Sequence, residues 1–140
     1  MIVLAHFRNA FSAFRDRPAL IDGARCWTFR DLEESVEKIA AGLAAALPGG
    51  SRVGLYMQNC AEYLILQLAI ERAGLVRVPL NVRYTAYEVE RIVEDSGARA
   101  VFYDGPSAKR LDALRGQGIW LCRVDEHDAE GGCGFAQLLA

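Results

Sequence analysis

The stretch Asp125-Glu126-His127-Asp128 gathers carboxylates around an imidazole and is the one run whose side chains suggest a divalent ion. Four consecutive residues cannot all turn toward one centre without a specialised loop, so a hydrated acidic face is the better reading. His6 and His127 are the two histidines, and neither has a Ser or Cys partner in a nucleophilic pattern. Gly131-Gly132-Cys133-Gly134 is rich enough in glycine to cradle phosphate, but it follows a polar loop and not a strand. The chain contains no GxGxxG, no GxxxxGK followed by Ser or Thr, and no GxSxG elbow. The four cysteines, Cys26, Cys60, Cys122 and Cys133, form no CxxC pair and fit no zinc spacing. They read as reduced, mostly buried thiols of a cytoplasmic protein. An even count would permit disulfides, yet Met1 to His6 has neither the charged start nor the apolar run of a secretory signal.

No contiguous motif supplies chemistry, so the fold must assemble it. Phe7, Phe11 and Phe14 recur at helical spacing and predict an amphipathic helix that stops before Pro18. Pro18 to Ile21, the turn pair Asp22-Gly23, and Arg25 to Thr28 predict a small hairpin. Thr28 and Asp31 form a variant capping box, and Leu32, Val36, Ile39, Leu43 and Leu47 line one face of the helix behind it. Pro48-Gly49-Gly50 ends that helix.

From Arg52 onward strands and helices alternate. Strands are expected at Arg52 to Met57, Leu75 to Leu80, Arg99 to Tyr103 and Ile119 to Val124. Helices are expected at Cys60 to Ala73, with Asn59 as N-cap, behind the capping box Thr85-Ala86-Tyr87-Glu88, and at Lys109 to Arg115. The helix Cys60 to Ala73 is apolar on most sides and reads as core, not as an acyl pocket. Alternation of this kind predicts an α/β fold: an open, mostly parallel sheet flanked by helices, preceded by the small hairpin. Residues 1–140 then form one unit: helix, hairpin and helix over 1–50, alternating α/β over 51–124, and a polar loop with a resuming helix over 125–140. Such sheets bind ligands beyond the carboxyl ends of their strands. Those ends are Met57-Gln58-Asn59, Leu80-Asn81-Val82-Arg83 and Tyr103-Asp104-Gly105.

Composition supports a packed domain. Apolar residues make up 52% of the chain and charged residues 24%, enough for a core and too apolar for general disorder. A net charge of -2 gives no attraction to nucleic acid or to an anionic membrane. The longest apolar run, near Tyr63 to Ile70, is too short to span a bilayer.

Four segments carry a resemblance. Trp27-Thr28-Phe29-Arg30-Asp31-Leu32 resembles the first signature of the AMP-forming adenylating enzymes, an aromatic or Leu, then Thr or Ser, Tyr or Phe, any residue, an acid and Leu. Arg52 to Glu62 resembles their RVAIYMPNSxE stretch, with Gln58 where Pro is common and Cys60 where Ser is common. Ala73-Gly74-Leu75-Val76-Arg77-Val78-Pro79-Leu80-Asn81 resembles their AGxxxVPLN signature. Thr85 to Val101 resembles the capped helix that follows it. In this order and spacing they identify the chain as the N-terminal subdomain of an AMP-forming acyl-CoA synthetase.

The resemblance implies an enzyme that joins a carboxylic acid, fatty or aryl, to AMP using ATP and Mg²⁺, then passes the acyl group to CoA. Leu80-Asn81-Val82-Arg83 resembles the LNxR of CoA synthetases, in some of which the arginine contacts the nucleotide phosphates of CoA. Arg83 is therefore the site residue the resemblance nominates. A peptide-synthetase adenylation domain is the alternative within the family. The family's Ser/Thr/Gly-rich phosphate loop, ribose-binding Asp and catalytic Lys match nothing in these residues. The residues alone also allow a free-standing α/β nucleotide-binding module or a protein-interaction scaffold, and exposed apolar surface would favour homo-oligomers. The 140-residue chain by itself is expected not to adenylate any acid; incorporation of labelled pyrophosphate into ATP, assayed across a panel of fatty and aryl acids, should stay at background.

Overall fold

The computed structural model describes residues 2–125 and Leu138. Its elements are α1 (Ile2–Ala13), β1 (Pro18–Asp22), β2 (Arg25–Thr28), α2 (Phe29–Ala46), β3 (Arg52–Tyr56), α3 (Ala61–Arg72), β4 (Val76–Pro79), α4 (Ala86–Ser96), β5 (Ala98–Tyr103), a 3-10 helix (Gly105–Leu114) and β6 (Trp120–Arg123). The strands form an antiparallel β1-β2 hairpin and an all-parallel sheet in the order β4-β3-β5-β6. The expected α/β architecture is thus present. Glu126 to Gln137 lie outside the described residues, and with them most of the acidic run, the glycine cluster and Cys133.

Side-chain alternation along the parallel strands builds two cores. Val53, Leu55, Ala100, Phe102 and Cys122 face α2 and α3 on one side of the sheet. Tyr56, Val101 and Tyr103 face Val89 and Val93 of α4 and Leu111 and Leu114 of the 3-10 helix on the other. The expected stripe on α2 is buried from Leu32 to Leu47. Ile65, Leu66, Leu68, Ala69 and Ile70 of α3 belong to the first core or its neighbours, so this helix is packing material. Gly54 lets the sheet close tightly: a Cβ there would stand 3.1 Å from Val101 Cγ2 and 3.3 Å from Leu80 Cδ1.

Helix ends follow local chemistry, with two corrections. Thr28 with Asp31 and Thr85 with Glu88 form complete capping boxes, and Gly97 ends α4 at φ 63°, where a glycine has no Cβ to clash. Asn59 does not cap α3. Cys60 occupies the cap position and its side chain makes no cap hydrogen bond; the Ala61 N–H donates instead to Asp22 Oδ2 of the hairpin at 3.1 Å. The expected helix Lys109 to Arg115 is a 3-10 helix that starts at Gly105, because the Asp104 side chain accepts from Ser107 N–H and Pro106 presets the first turn. Cys26, expected to be buried, is exposed on the outer face of the hairpin beside Ile21.

The hairpin is tied to α3 by one guanidinium. Arg25 donates to Asp22 Oδ2 at 2.6 Å and to both carboxylate oxygens of Glu62, and its guanidinium lies 5.0 Å from the Trp27 ring centroid. The Ala61 N–H and Arg25 together hold the Asp22 carboxyl below its ordinary value of 3.8. Burial pushes Glu62 up, but its bonds to Arg25 outweigh that and leave it lowered. A carboxyl lowered in the folded state stabilises above its unfolded value and loses that contribution as pH falls through the folded value.

Two outcomes are expected. Asp22→Ala should unfold at lower urea than the wild type at neutral pH, and the gap should close as pH is taken below ~3, beneath the ordinary carboxylate range; a gap that ignores pH would mean the carboxylate's charge is irrelevant. Gly54→Ala should lower stability by about 1–3 kcal/mol through overpacking, read as a shift in the urea midpoint.

Candidate functional site at the carboxyl ends of the sheet

The strand order fixes where a ligand can sit. The chain leaves β3 toward β4 and leaves β5 toward β6, in opposite directions across the sheet. Loops that part in this way open a crevice between the ends of β3 and β5. Gln58 N–H donates to Asp104 Oδ2 at 2.9 Å across that gap, and Asp104 Oδ1 accepts from Ser107 N–H at 3.1 Å. The exit of β6 is stitched on as well, since Asp125 accepts from Gly105 N–H at 2.8 Å and from Arg123 Nε at 2.7 Å. A Cβ at Gly105 would meet the tip of the Arg123 side chain, which would have to shift to admit it.

Two depressions meet at Gln58. A cleft of about 470 Å³ is lined by Arg25, Gln58, Cys60, Glu62, Asp104 and Asp125. Beside it, a shallower hollow of about 530 Å³ is lined by Met57, Gln58, Asn59, Tyr63, Leu80 and Asn81. Burial raises the Cys60 thiol above its ordinary value, and Glu62 adds to the rise, so this cysteine is not an activated nucleophile. Burial pushes Asp125 up, yet Arg123 and the Gly105 N–H bring it below the ordinary value overall. Among the described residues no group of three His, Cys, Asp or Glu side chains is placed to hold a metal ion. Asp104 and Asp125 already accept backbone or guanidinium N–H groups, so they do not fit Mg²⁺.

Arg83 stands on the same rim, after β4, and lines neither depression. Its side chain is exposed and has no hydrogen bond or ion pair among the described residues. The backbone beneath it is held firmly. Arg83 N–H donates to Asn81 Oδ1 at 2.9 Å and Tyr84 N–H to Asn81 O at 2.9 Å, an Asx turn. Tyr56, buried in the sheet, donates from Oη to Tyr84 O at 2.8 Å. Arg110 Nη1 donates to Val82 O at 3.3 Å. The loop then runs into the Thr85 cap of α4.

Sequence reading nominated Arg83 and missed the groups that shape the crevice. Asp104 lies within a strand-end segment and Glu62 at the end of the Arg52 to Glu62 stretch, but only the fold shows that Gln58 N–H reaches the one and Arg25 the other. Arg25 gave no sign of its reach to the crevice, because Glu62, the partner that ties it to α3, lies 37 residues away.

Residues 7–132 match the family of AMP-binding enzymes. A long-chain-fatty-acid–CoA ligase of Haemophilus influenzae is 42% identical over 114 residues, which cover 80% of this chain and 20% of that protein. A solved Mycobacterium tuberculosis fatty acyl CoA synthetase superposes with a TM-score of 0.82 at 27% identity, over 95% of this chain and 27% of that one. The anthranilate CoA ligase AuaEII, solved with anthranoyl-AMP, shares the fold at a TM-score of 0.86 and 21% identity, over 95% of this chain and 26% of that one. The chain thus spans about a fifth of the length of the curated relatives it matches. With the four signature segments and the strand order in agreement, the chain belongs to the AMP-binding enzyme family of adenylate-forming ligases.

Proposed function

We propose that this chain is the N-terminal part of an acid–CoA ligase acting on a fatty acid, and that it supplies one wall of the site with a phosphate contact at Arg83. In the first step a carboxylate oxygen attacks the α-phosphorus of ATP, forming the acyl-adenylate and releasing pyrophosphate. In the second, the CoA thiol gives up its proton and attacks the acyl carbon, releasing AMP. None of the described residues is assigned to either bond exchange. The chain's part is to hold and orient. The observation that carries this reading is the match of residues 7–132 to the AMP-binding family, joined by the identity to long-chain-fatty-acid ligases.

Arg83 suits the second step. A guanidinium presents a planar fork that matches phosphate oxygens, and the exposed one here has no carboxylate to release first. Asn81, Tyr56 and Arg110 fix its backbone before any ligand arrives, which lowers the ordering cost of binding.

A chimera tests the reading: residues 7–132 replace the matching segment of the Haemophilus influenzae ligase. It should form acyl-CoA from a long-chain fatty acid, ATP and CoA. Arg83→Ala in that chimera should raise KM for CoA about tenfold, the worth of one charge-assisted hydrogen bond, while ATP–pyrophosphate exchange is unchanged. An equal fall in exchange would place Arg83 in the adenylation step. Acyl-AMP without thioester at any CoA concentration would move the acceptor to a carrier protein.

A further inference from the structure

The last turns of α2 are rich in alanine, at Ala40, Ala41, Ala44, Ala45 and Ala46, and a single glycine, Gly42, interrupts them. The choice has a cost. A glycine inside a helix weakens folding about fivefold relative to alanine, because its backbone has more freedom to lose. No turn requires it here, since Gly42 lies within the helix and is not among the glycines with positive φ. The space above it is already taken. A Cβ at Gly42 would stand 2.8 Å from Leu138 Cδ2 and 3.9 Å from Leu138 Cα and Cβ. Leu138 is buried and belongs to the first core, together with Phe11 of α1 and Leu43 and Leu47 of α2.

The three atoms nearest to that Cβ all belong to Leu138, so this one residue is the first obstacle to a side chain. Its methyl is the end of a side chain and can swing aside. It is enclosed by the core, however, and swinging it gives up packing contacts. The two residues also meet from distant parts of the molecule. α2 runs from the hairpin to the Pro48-Gly49-Gly50 turn that feeds β3, so Gly42 lies toward the amino ends of the parallel strands. Asp125, after β6, is bonded to Gly105 N–H beyond the carboxyl end of β5. Leu138 is thus seated toward the end of the sheet opposite the crevice.

We propose that Gly42 is the seat of a clasp: Leu138 inserts over the bare turn of α2, fastens the chain beyond the sheet to this helix, and completes the first core. The helix gives up the stability an alanine would bring, and the burial of the leucine offsets that loss. With the clasp shut, α2 is held at three points along its length. Its amino end is capped at Thr28, its middle is paired to α3 through Glu37 and Arg72, and its last turns lie under Leu138.

A double-mutant cycle on the 140-residue chain tests the clasp, with urea unfolding as the readout. Leu138→Ala should lower the midpoint, as the loss of a buried leucine does. Gly42→Ala is the informative change, because its sign should depend on residue 138. In the wild-type background it should leave the midpoint unchanged or lower it, since the new methyl displaces the leucine. In the Leu138→Ala background it should raise the midpoint, by about the fivefold gain in the folding equilibrium that alanine brings to a helix. The shortened residue 138 retains only its Cβ, at an ordinary contact distance from the new methyl. Leu138→Val also removes the Cδ2 atom at smaller cost, and takes the place of Leu138→Ala if that variant does not fold. An equal gain from Gly42→Ala in both backgrounds would show that the two residues do not meet, and the clasp would be rejected. A midpoint unmoved by Leu138→Ala would reject it as well.

Discussion

β3 must be buried on both faces at once, and most of the molecule is arranged to meet that demand. Every residue from Val53 to Tyr56 is buried, with β4 on one edge and β5 on the other. A strand in that position cannot alternate apolar and polar residues, so it reads as the continuous run Val53-Gly54-Leu55-Tyr56. It needs helices above and below, and right-handed crossovers provide them. α2 and α3 close one face, and α4 with the 3-10 helix closes the other. Gly54 is the point where the fit is tightest, because Val101 and Leu80 occupy the space a side chain would need. The crevice at the carboxyl ends is a by-product of the same requirement: covering both faces makes the chain depart from β3 and β5 in opposite directions.

Electrostatics then fastens peripheral parts to this frame. The hairpin has little core of its own, and Ile21 and Cys26 face solvent. It is held by Arg25, which joins Asp22 and Glu62, and by Asp22, which completes the amino end of α3. One carboxylate so serves as turn residue, ion-pair partner and helix cap. Exposed ion pairs contribute little singly, but here the pair shares its oxygen with a backbone N–H that has no other side-chain cap.

Wherever a local rule acted alone, the sequence was readable. Both capping boxes, the α2 stripe, the hairpin turn and the alternation that demands a parallel sheet depend on residues close in the chain, and all are present. Reading failed where a distant group took over a local role. Asn59 is a good cap by type, yet the hairpin's Asp22 reaches Ala61 first. Lys109 to Arg115 has helical character, yet Asp104 and Pro106 start a tighter turn upstream. The candidate site divides in the same way. Arg83 stood out through its short motif, whereas the contacts that bring Arg25, Asp104 and Arg110 to the site span 28 to 46 residues.

Tyr56 belongs to two systems. Its ring is fully buried in the core beneath α4, and its hydroxyl holds the carbonyl of Tyr84 in the loop that presents Arg83. The interior and the rim therefore share a mechanical linkage. Any change that shifts this ring, such as a larger Val89 or a smaller Leu111 on the same face, is transmitted to the loop as a displacement of its anchor. Evolution or design that improves the packing of this face works under a second constraint, the geometry of the surface loop anchored to it.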